Sequence, residues 1–297
     1  MTLVPETVVE RAPAKVNLAL HVLRRRADGY HELDSLAVFM PQVADVLHVS
    51  AANESGLEVG GAPAAGVPAD ERNLALRAAR ALIRRWPRHF GPVHIRLEKR
   101  LPAAAGIGGG SADAAAVMRA MCRLFGFSPP PAELMAVALE LGADVPVCLH
   151  GRAVRMRGIG ERLTAVAIPA GLGVVLANPG VRLATAEVFS RLAEMRRRNG
   201  QEAAGGLPDD WPMQRGAFLD SLARLRNDLE APARALAPAI ADCLQALRTL
   251  FGARLARMSG SGATCFALFD TVDAARAAAE KLRAQHPRWW VATGKAV

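Results

Sequence analysis

The feature that most constrains this chain is a glycine-rich segment set between a short apolar run and an alanine-rich one. Residues 93–98 alternate apolar and polar side chains and read as a strand. Pro102, Ala103, Ala104, Ala105, Gly106, Ile107, Gly108, Gly109 and Gly110 follow, and the chain then enters a helix at Ser111, Ala112 and Asp113 that continues to about Phe125. Glycines without a Cβ let backbone N–H groups converge on an anion, and the helix N-terminus adds partial positive charge. Strand, glycine loop and helix in this order point to a site for a di- or triphosphate. A flexible linker is the alternative, but linkers seldom sit between a strand and a capped helix. The loop has no Gly-Lys-Ser/Thr ending and does not spell Gly-x-Gly-x-x-Gly, so neither the P-loop NTPases nor the dinucleotide-binding fold is matched. The His-Arg-Asp and Asp-Phe-Gly signatures of protein kinases are also missing. Ser111 could touch phosphate or Mg²⁺, or only cap the helix. Asp113, in what reads as the first turn, could ligate a metal or only favour the helix dipole.

The surrounding pattern is mixed. Residues 7–10, 16–23, 35–39 and 45–49 read as strands, with a turn at Asp28-Gly29. Asn73 reads as the cap of an amphipathic helix to about Trp86. After the glycine loop and its helix come a second helix over 131–141, the turn Gly142-Ala143-Asp144-Val145-Pro146, and short strands ending near Leu163. A further part opens on a buried strand at 173–177 and a helix over 185–198. The segment 199–215, rich in Gly, Pro and Asp, is either a lid or a tolerated insertion. Helices over 218–225 and 238–251, a hairpin of 254–258 with 264–269, a helix over 272–285 and a strand near Trp289 complete the pattern. It predicts an α+β protein of two lobes, 1–163 and 164–297.

Four more motifs could carry chemistry. Lys15 and Asn17, two apart in a strand, project from one face. They could reach into a site or be an ordinary edge-strand lysine and its neighbour. Tyr30, the single tyrosine, and His31 follow a turn and suit stacking on a flat heterocycle, or a half-buried packing role. Asp144 could act on a ligand or cap its own turn. Ser259-Gly260-Ser261-Gly262-Ala263-Thr264 could approach phosphate or be a hairpin turn.

Composition narrows the function classes. A formal charge of +9 is compatible with nucleic acid or with a small anionic substrate. The arginine runs at 24–26, 84–85 and 196–198 lack aromatic interleaving, so they read as solvated faces. Of 37 basic residues only Lys15, Lys99, Lys281 and Lys295 are lysines, which singles out each of them. Cys122, Cys148, Cys243 and Cys265 are far apart, outside any metal-ligand spacing, and suit a reduced, cytoplasmic setting as small buried hydrophobes. Pro5, Glu6 and Glu10 stand where a secretion signal needs an apolar run, and no apolar stretch approaches membrane-spanning length. Neither export nor a membrane is expected.

Taken in order, 102–113, 259–264 and the Lys15 and Asp144 motifs closely resemble the GHMP kinase superfamily, over nearly the whole chain. Within it, 12–17, 26–31 and 141–147 are similar to the branch that phosphorylates a methylerythritol linked to cytidine diphosphate, in the non-mevalonate route to isoprenoids. The resemblance implies a two-lobe fold with ATP and substrate in the cleft between lobes, a small-molecule substrate, and Mg²⁺ with ATP. It implies Lys15 and Asp144 as the catalytic pair and Pro102 to Ala112 as the ATP phosphate loop. For the substrate it implies Asn17 helping to place it, Tyr30 and His31 at the cytosine, and Thr185 and Phe189 at the cytidine, with the Phe189 ring opposing Tyr30. Two residues depart from the pattern: Ile107 replaces a usual leucine, and Ala112 a common serine, which removes a hydroxyl. The competing readings are another kinase of the superfamily acting on homoserine, mevalonate or a sugar, and a non-enzymatic binder of RNA or another polyanion.

Overall fold

β-branched and apolar side chains dominate the first fifty residues, and in the computed structural model, which describes residues 6–27, 29–199 and 205–297, they form two long strands. These are β1 (Thr7–Arg25) and β2 (His31–Ala51), where the sequence pattern predicts four shorter ones. Pro13 and Pro41 do not break them. The only strand partner of β1 among the described residues is β2, so Pro13 lies on an edge that needs no N–H there. Pro41 falls between the two stretches of β2, 33–37 and 46–51, that pair with other strands. Asp28 and residues 200–204 of the segment 199–215 lie outside the described residues.

The described chain divides into two compact units that are not successive stretches of sequence. The first comprises residues up to Ala14, Ala44–Ala103 and Gly108–Gly151; the second comprises Lys15–Val43, Ala104–Ile107 and Arg152–Val297. Both β1 and β2 contribute residues to each.

In the first unit, β2 pairs antiparallel with β4 (Val93–Glu98), and β4 pairs parallel with β3 (Gly56–Gly60). A parallel pair needs a crossover, and α1 (Leu74–Arg85) supplies it. The expected cap is present: Asn73 Oδ1 accepts from Ala75 N at 2.9 Å. Helix α2 (Gly109–Leu124) packs on α1. Ala75, Ala78 and Ala79 on α1 and Ala112, Ala115, Ala116 and Ala120 on α2 are buried, small enough to let the two backbones approach closely. Then come α3 (Pro131–Leu141) and α4 (Val145–His150). Where the sequence pattern passes from the Asp144 turn into a strand, the chain makes this one short helix instead, because Pro146 in its first turn presets a helical φ.

In the second unit, β5 (Val154–Gly158) pairs antiparallel with β2 and with β6 (Arg162–Ala165). A four-stranded antiparallel sheet joins β7 (Gly173–Asn178), β8 (Leu255–Met258), β9 (Cys265–Phe269) and β10 (Trp290–Lys295) in the order β10-β7-β9-β8. Around it lie α5 (Thr185–Asn199), α6 (Arg215–Ala223), α7 (Glu230–Leu236), α8 (Ala239–Arg248) and α9 (Val272–Gln285). Val175, Ala177 and Phe269 of the sheet meet Ile240, Leu244 and Leu247 of α8 and Ala275, Ala279 and Leu282 of α9 in one core. Cys148, Cys243 and Cys265 are buried, and all four cysteines are free. No helix among the described residues is long and apolar enough to cross a membrane.

Candidate active site

In the second unit three separate motifs are fastened to one another through backbone groups and the Ser259 hydroxyl. Lys15 N donates to Ile107 O at 3.0 Å, tying β1 to the phosphate loop. Asn17 N donates to Ser259 Oγ at 3.1 Å, and Ser259 Oγ in turn donates to Gly106 O at 3.0 Å. Thr264 N donates to Ala105 O at 3.1 Å. The loop and the 259–264 turn approach so closely that a Cβ on Gly106, which has φ 72, would stand 2.5 Å from Ser259 O and 2.6 Å from Gly262 N. Only glycine fits there. The turn is thus more than a hairpin connection between β8 and β9: it is the floor on which the loop rests.

Lys15 is 4% exposed and Asn17 2%, which excludes the solvated edge-strand reading of both. The Asn17 amide is held by its Nδ2 donating to Ser35 Oγ at 2.8 Å, while its Oδ1 has no hydrogen-bond partner among the described residues.

In the first unit the helix behind the loop starts two residues earlier than the sequence suggests. Gly108, with φ 68, is the cap of α2, so Gly109, Gly110 and Ser111 form its first turn and Asp113 lies in the second. The first helical N–H to find an acceptor is that of Ala112, on Gly108 O at 2.8 Å; those of Gly109, Gly110 and Ser111 precede it and have none within the helix. A helix start of this kind is suited to an anion. Ala112, whose methyl is buried, offers neither a side chain nor a spare N–H.

Asp113 is no surface carboxylate. It is buried and accepts from Lys99 Nζ at 2.8 Å, and Lys99 also donates to the buried Asp45. The second oxygen of Asp45 accepts from Arg100 N and Leu101 N, at 2.5 and 2.8 Å. One buried lysine therefore ties the exit of β4 to the second turn of α2. Burial pushes the Asp113 carboxyl up, Lys99 pulls it down and the Asp45 charge raises it again, leaving it at about 7. Burial also acts against the Lys99 ammonium, but Asp113 and Asp45 outweigh it and hold it above its usual value. Asp144 stands at the N-cap position of α4, and its carboxylate makes no capping hydrogen bond to that helix.

The aromatic motif also lies in the second unit. His31 stacks on Phe189, with ring centroids 4.8 Å apart and planes 24° apart. The ring that Phe189 meets is thus the imidazole, while Tyr30 is 59% exposed beside it in sequence. Burial lowers the His31 pKa, and Arg25 and Arg196 lower it further. Thr185 stands next to the glycine turn, its Oγ1 2.8 Å from Ser261 Oγ.

A cavity of about 570 Å³ elsewhere in the second unit is lined by Arg226, Arg234, Arg248, Arg254 and Arg257. Most of this charge is already engaged. Arg226 pairs with Asp228, Arg254 with Asp270, and the buried Arg257 donates to the carbonyls of Leu18, Leu222 and Leu225. Asn227 and Asp45 escaped the motif reading, as did the bonds that tie Ser259 to Gly106 and Lys99 to Asp113. Asn227 holds the same turn by donating to Met258 O and Gly260 O, both at 2.8 Å. The scarcity of lysine was the one signal for Lys99, and nothing in the sequence marks Asn227.

The comparisons with known proteins agree with this geometry. The family descriptions "GHMP kinases N terminal domain" and "GHMP kinases C terminal" match residues 73–152 and 214–288. A 4-diphosphocytidyl-2-C-methyl-D-erythritol kinase of Cereibacter sphaeroides is 51% identical over 287 residues, 96% of this chain and 98% of its own. A crystal structure of 4-(cytidine 5'-diphospho)-2C-methyl-D-erythritol kinase superposes with a TM-score of 0.78 at 39% identity, covering 97% of this chain and 99% of the other. Homoserine kinase from Cytophaga hutchinsonii, at 20% identity and a TM-score of 0.72 over 99% of this chain and 96% of its own, shares the fold. With half of its residues shared over nearly its full length, the chain belongs to the GHMP kinase family, among the 4-diphosphocytidyl-2-C-methyl-D-erythritol kinases.

Proposed function

We propose that this kinase moves the γ-phosphoryl group of ATP onto the 2-hydroxyl of 4-diphosphocytidyl-2-C-methyl-D-erythritol, in the cytoplasm, on the non-mevalonate route to isoprenoid precursors. The observation that carries this reading is the hydrogen bond from Lys15 N to Ile107 O, which fastens the lysine strand to the phosphate loop. Phosphoryl transfer asks little covalent help of a protein, so alignment and charge neutralisation do most of the work. The N–H groups of Gly109, Gly110 and Ser111 hold the nucleotide phosphates. The substrate hydroxyl oxygen bonds to the γ-phosphorus as the bond to the β-phosphate oxygen breaks, and ADP leaves. Asp144 takes or orients the hydroxyl proton, and Lys15 stabilises the attacking oxygen and the transferred group. Asn17 places the polyol, while Tyr30, His31, Phe189 and Thr185 hold the cytidine end, whose binding energy orients the distant hydroxyl.

ATP brings Mg²⁺ with it in this reading. Among the described residues no three His, Cys, Asp or Glu side chains group as a metal cage, and Asp113 is buried against Lys99. Mg²⁺ commonly keeps waters and leans on substrate phosphates, so phosphate oxygens and the partly exposed Ser111 hydroxyl fit it. Bound there, it would neutralise phosphate charge.

The test is ADP release with ATP, Mg²⁺ and the cytidylyl substrate, with homoserine and mevalonate in parallel. Turnover of the cytidylyl substrate alone is expected. Turnover only of another alcohol would keep the kinase and discard the reading of Tyr30 and His31.

A further inference from the structure

His21 lies on β1 four residues past Asn17, and strand alternation puts it on the same face as Lys15 and Asn17. It is 5% exposed. Its Nδ1 stands 2.7 Å from Gly205 O. A carbonyl oxygen can only accept, so Nδ1 carries a proton, and in the neutral ring Nε2 keeps its lone pair. That Nε2 is buried and meets no hydrogen-bond partner among the described residues. Asn17 Oδ1 is in the same condition. Two buried acceptors without donors therefore stand on one strand face, in a class of protein where orphaned buried polar atoms are few and call for a cause.

The carbonyl that fixes the tautomer is itself fixed. Leu207 N donates to Asp34 Oδ2 at 2.9 Å, Arg155 donates to Leu207 O at 2.7 Å and to Asp209 Oδ1 at 2.6 Å, and Arg155 and Asp34 form a buried pair. Residues 205–209 are thus strapped beside β1, and His21 is presented with its acceptor unspent.

Position decides what donor it serves. At about 3.3 Å per residue, His21 lies roughly 13 Å beyond Asn17 and 20 Å beyond Lys15 along the strand. Tyr30 and His31 follow past the end of β1. His21 therefore falls between the end proposed for the reacting hydroxyl and the end proposed for the base. The part of the substrate that spans this interval is a diphosphate and a ribose. An ionised diphosphate has no proton to donate, whereas ribose has two hydroxyls. We propose that His21 Nε2 accepts a hydrogen bond from a ribose hydroxyl of the cytidine moiety, making it a specificity residue for the ribonucleotide; this rests on the substrate reading above.

The experiment compares the full-length kinase with His21→Phe, His21→Gln and His21→Asn, using ATP, Mg²⁺ and the cytidylyl substrate or its 2'-deoxy and 3'-deoxy forms. Glutamine can set Oε1 near the place of Nε2, whereas asparagine retains only the Gly205 contact. Removing the hydroxyl that His21 reads should lower wild-type kcat/KM by roughly five- to ten-fold, chiefly through KM. His21→Phe should lose as much with the full substrate and be indifferent to the deoxy form, His21→Gln should keep most of the preference, and His21→Asn should not. Recovery by asparagine and not glutamine, or an equal deoxy penalty in wild type and His21→Phe, overturns the proposal and leaves the substrate reading intact. Calorimetry with cytidine diphosphate and its 2'- and 3'-deoxy forms supplies an arm independent of turnover. A wild-type preference lost in His21→Phe upholds the role, and no preference, or no binding, overturns it.

Discussion

Asp144 begins α4 without spending its carboxylate on that helix, and a six-residue helix with Pro146 in its first turn holds the residue in place. In the proposed mechanism the side chain handles the hydroxyl proton, so Asp144→Asn should bind both substrates with KM values within a few-fold of wild type. Its kcat should fall by about 10²- to 10⁴-fold, measured by ADP release. Near-wild-type turnover would remove Asp144 from the mechanism. His31 makes a different case. Burial, with Arg25 and Arg196 at hand, keeps its imidazole neutral, and it stacks on Phe189. His31→Ala should raise KM for the cytidylyl substrate and leave KM for ATP nearly unchanged; an equal rise in both would detach it from the base. At this scale the sequence was partly legible. The Lys15, Asp144 and glycine motifs stand out by residue type and spacing. The role of Ser259 within its motif does not, because it lies in bonds to Gly106 and Asn17, which are 153 and 242 positions away.

Between elements, the same difference between local and distant information recurs. β4, α3 and α9 run over the residues their periodicity predicts, and Asn73 caps α1 as its type suggests, since each depends on neighbours in sequence. The start of α2 at Gly109 was not legible. Glycine has low helix propensity, and only the packing of the alanines behind it favours the extra residues. Edge β3 and the seven-residue α7 are too short to show a period. The Asp45–Lys99–Asp113 cluster joins β4 to α2, and Lys99→Met would leave two buried carboxylates facing each other. The expected cost is about 3–5 kcal/mol, seen as a fall in Tm on the order of 10 °C. Asp113→Asn should behave otherwise, because Lys99 keeps Asp45. Asp113 sits at about 7 in the folded protein, above its usual value near 3.8. An acid raised by folding contributes most stability below its unfolded pKa and loses it as pH rises through the folded one. The Tm of Asp113→Asn relative to wild type should therefore climb from about pH 4 to about pH 7 and level off above. A difference that is flat across this window would mean Asp113 is ionised in the fold throughout.

For the whole molecule the salient property is a charge of +9 on a kinase whose proposed substrates are both anions. Part of that charge has a local reason. Arg84 and Arg85 end α1, and Arg196, Arg197 and Arg198 occupy the last turn of α5, where cations favour the helix dipole. Arg196 is further held by Val22 O and Asp228, and Arg155 by Asp34 and Asp209. Such pairs nearly cancel at a distance, so the field that reaches an incoming nucleotide comes from the unmatched remainder. Raising ionic strength from about 0.01 M to about 0.15 M shortens the Debye length from about 30 Å to about 8 Å, which removes long-range attraction while leaving contacts inside a site almost untouched. If the excess charge draws in the cytidylyl diphosphate, kcat/KM should fall several-fold over that range with kcat unchanged. A parallel titration with an unrelated RNA separates this from general polyanion binding, which would show steep salt-dependent RNA affinity and inhibition of the kinase by RNA at low salt. A flat kcat/KM would instead assign the arginines to the solvated faces and helix ends on which they lie, with no part in substrate capture.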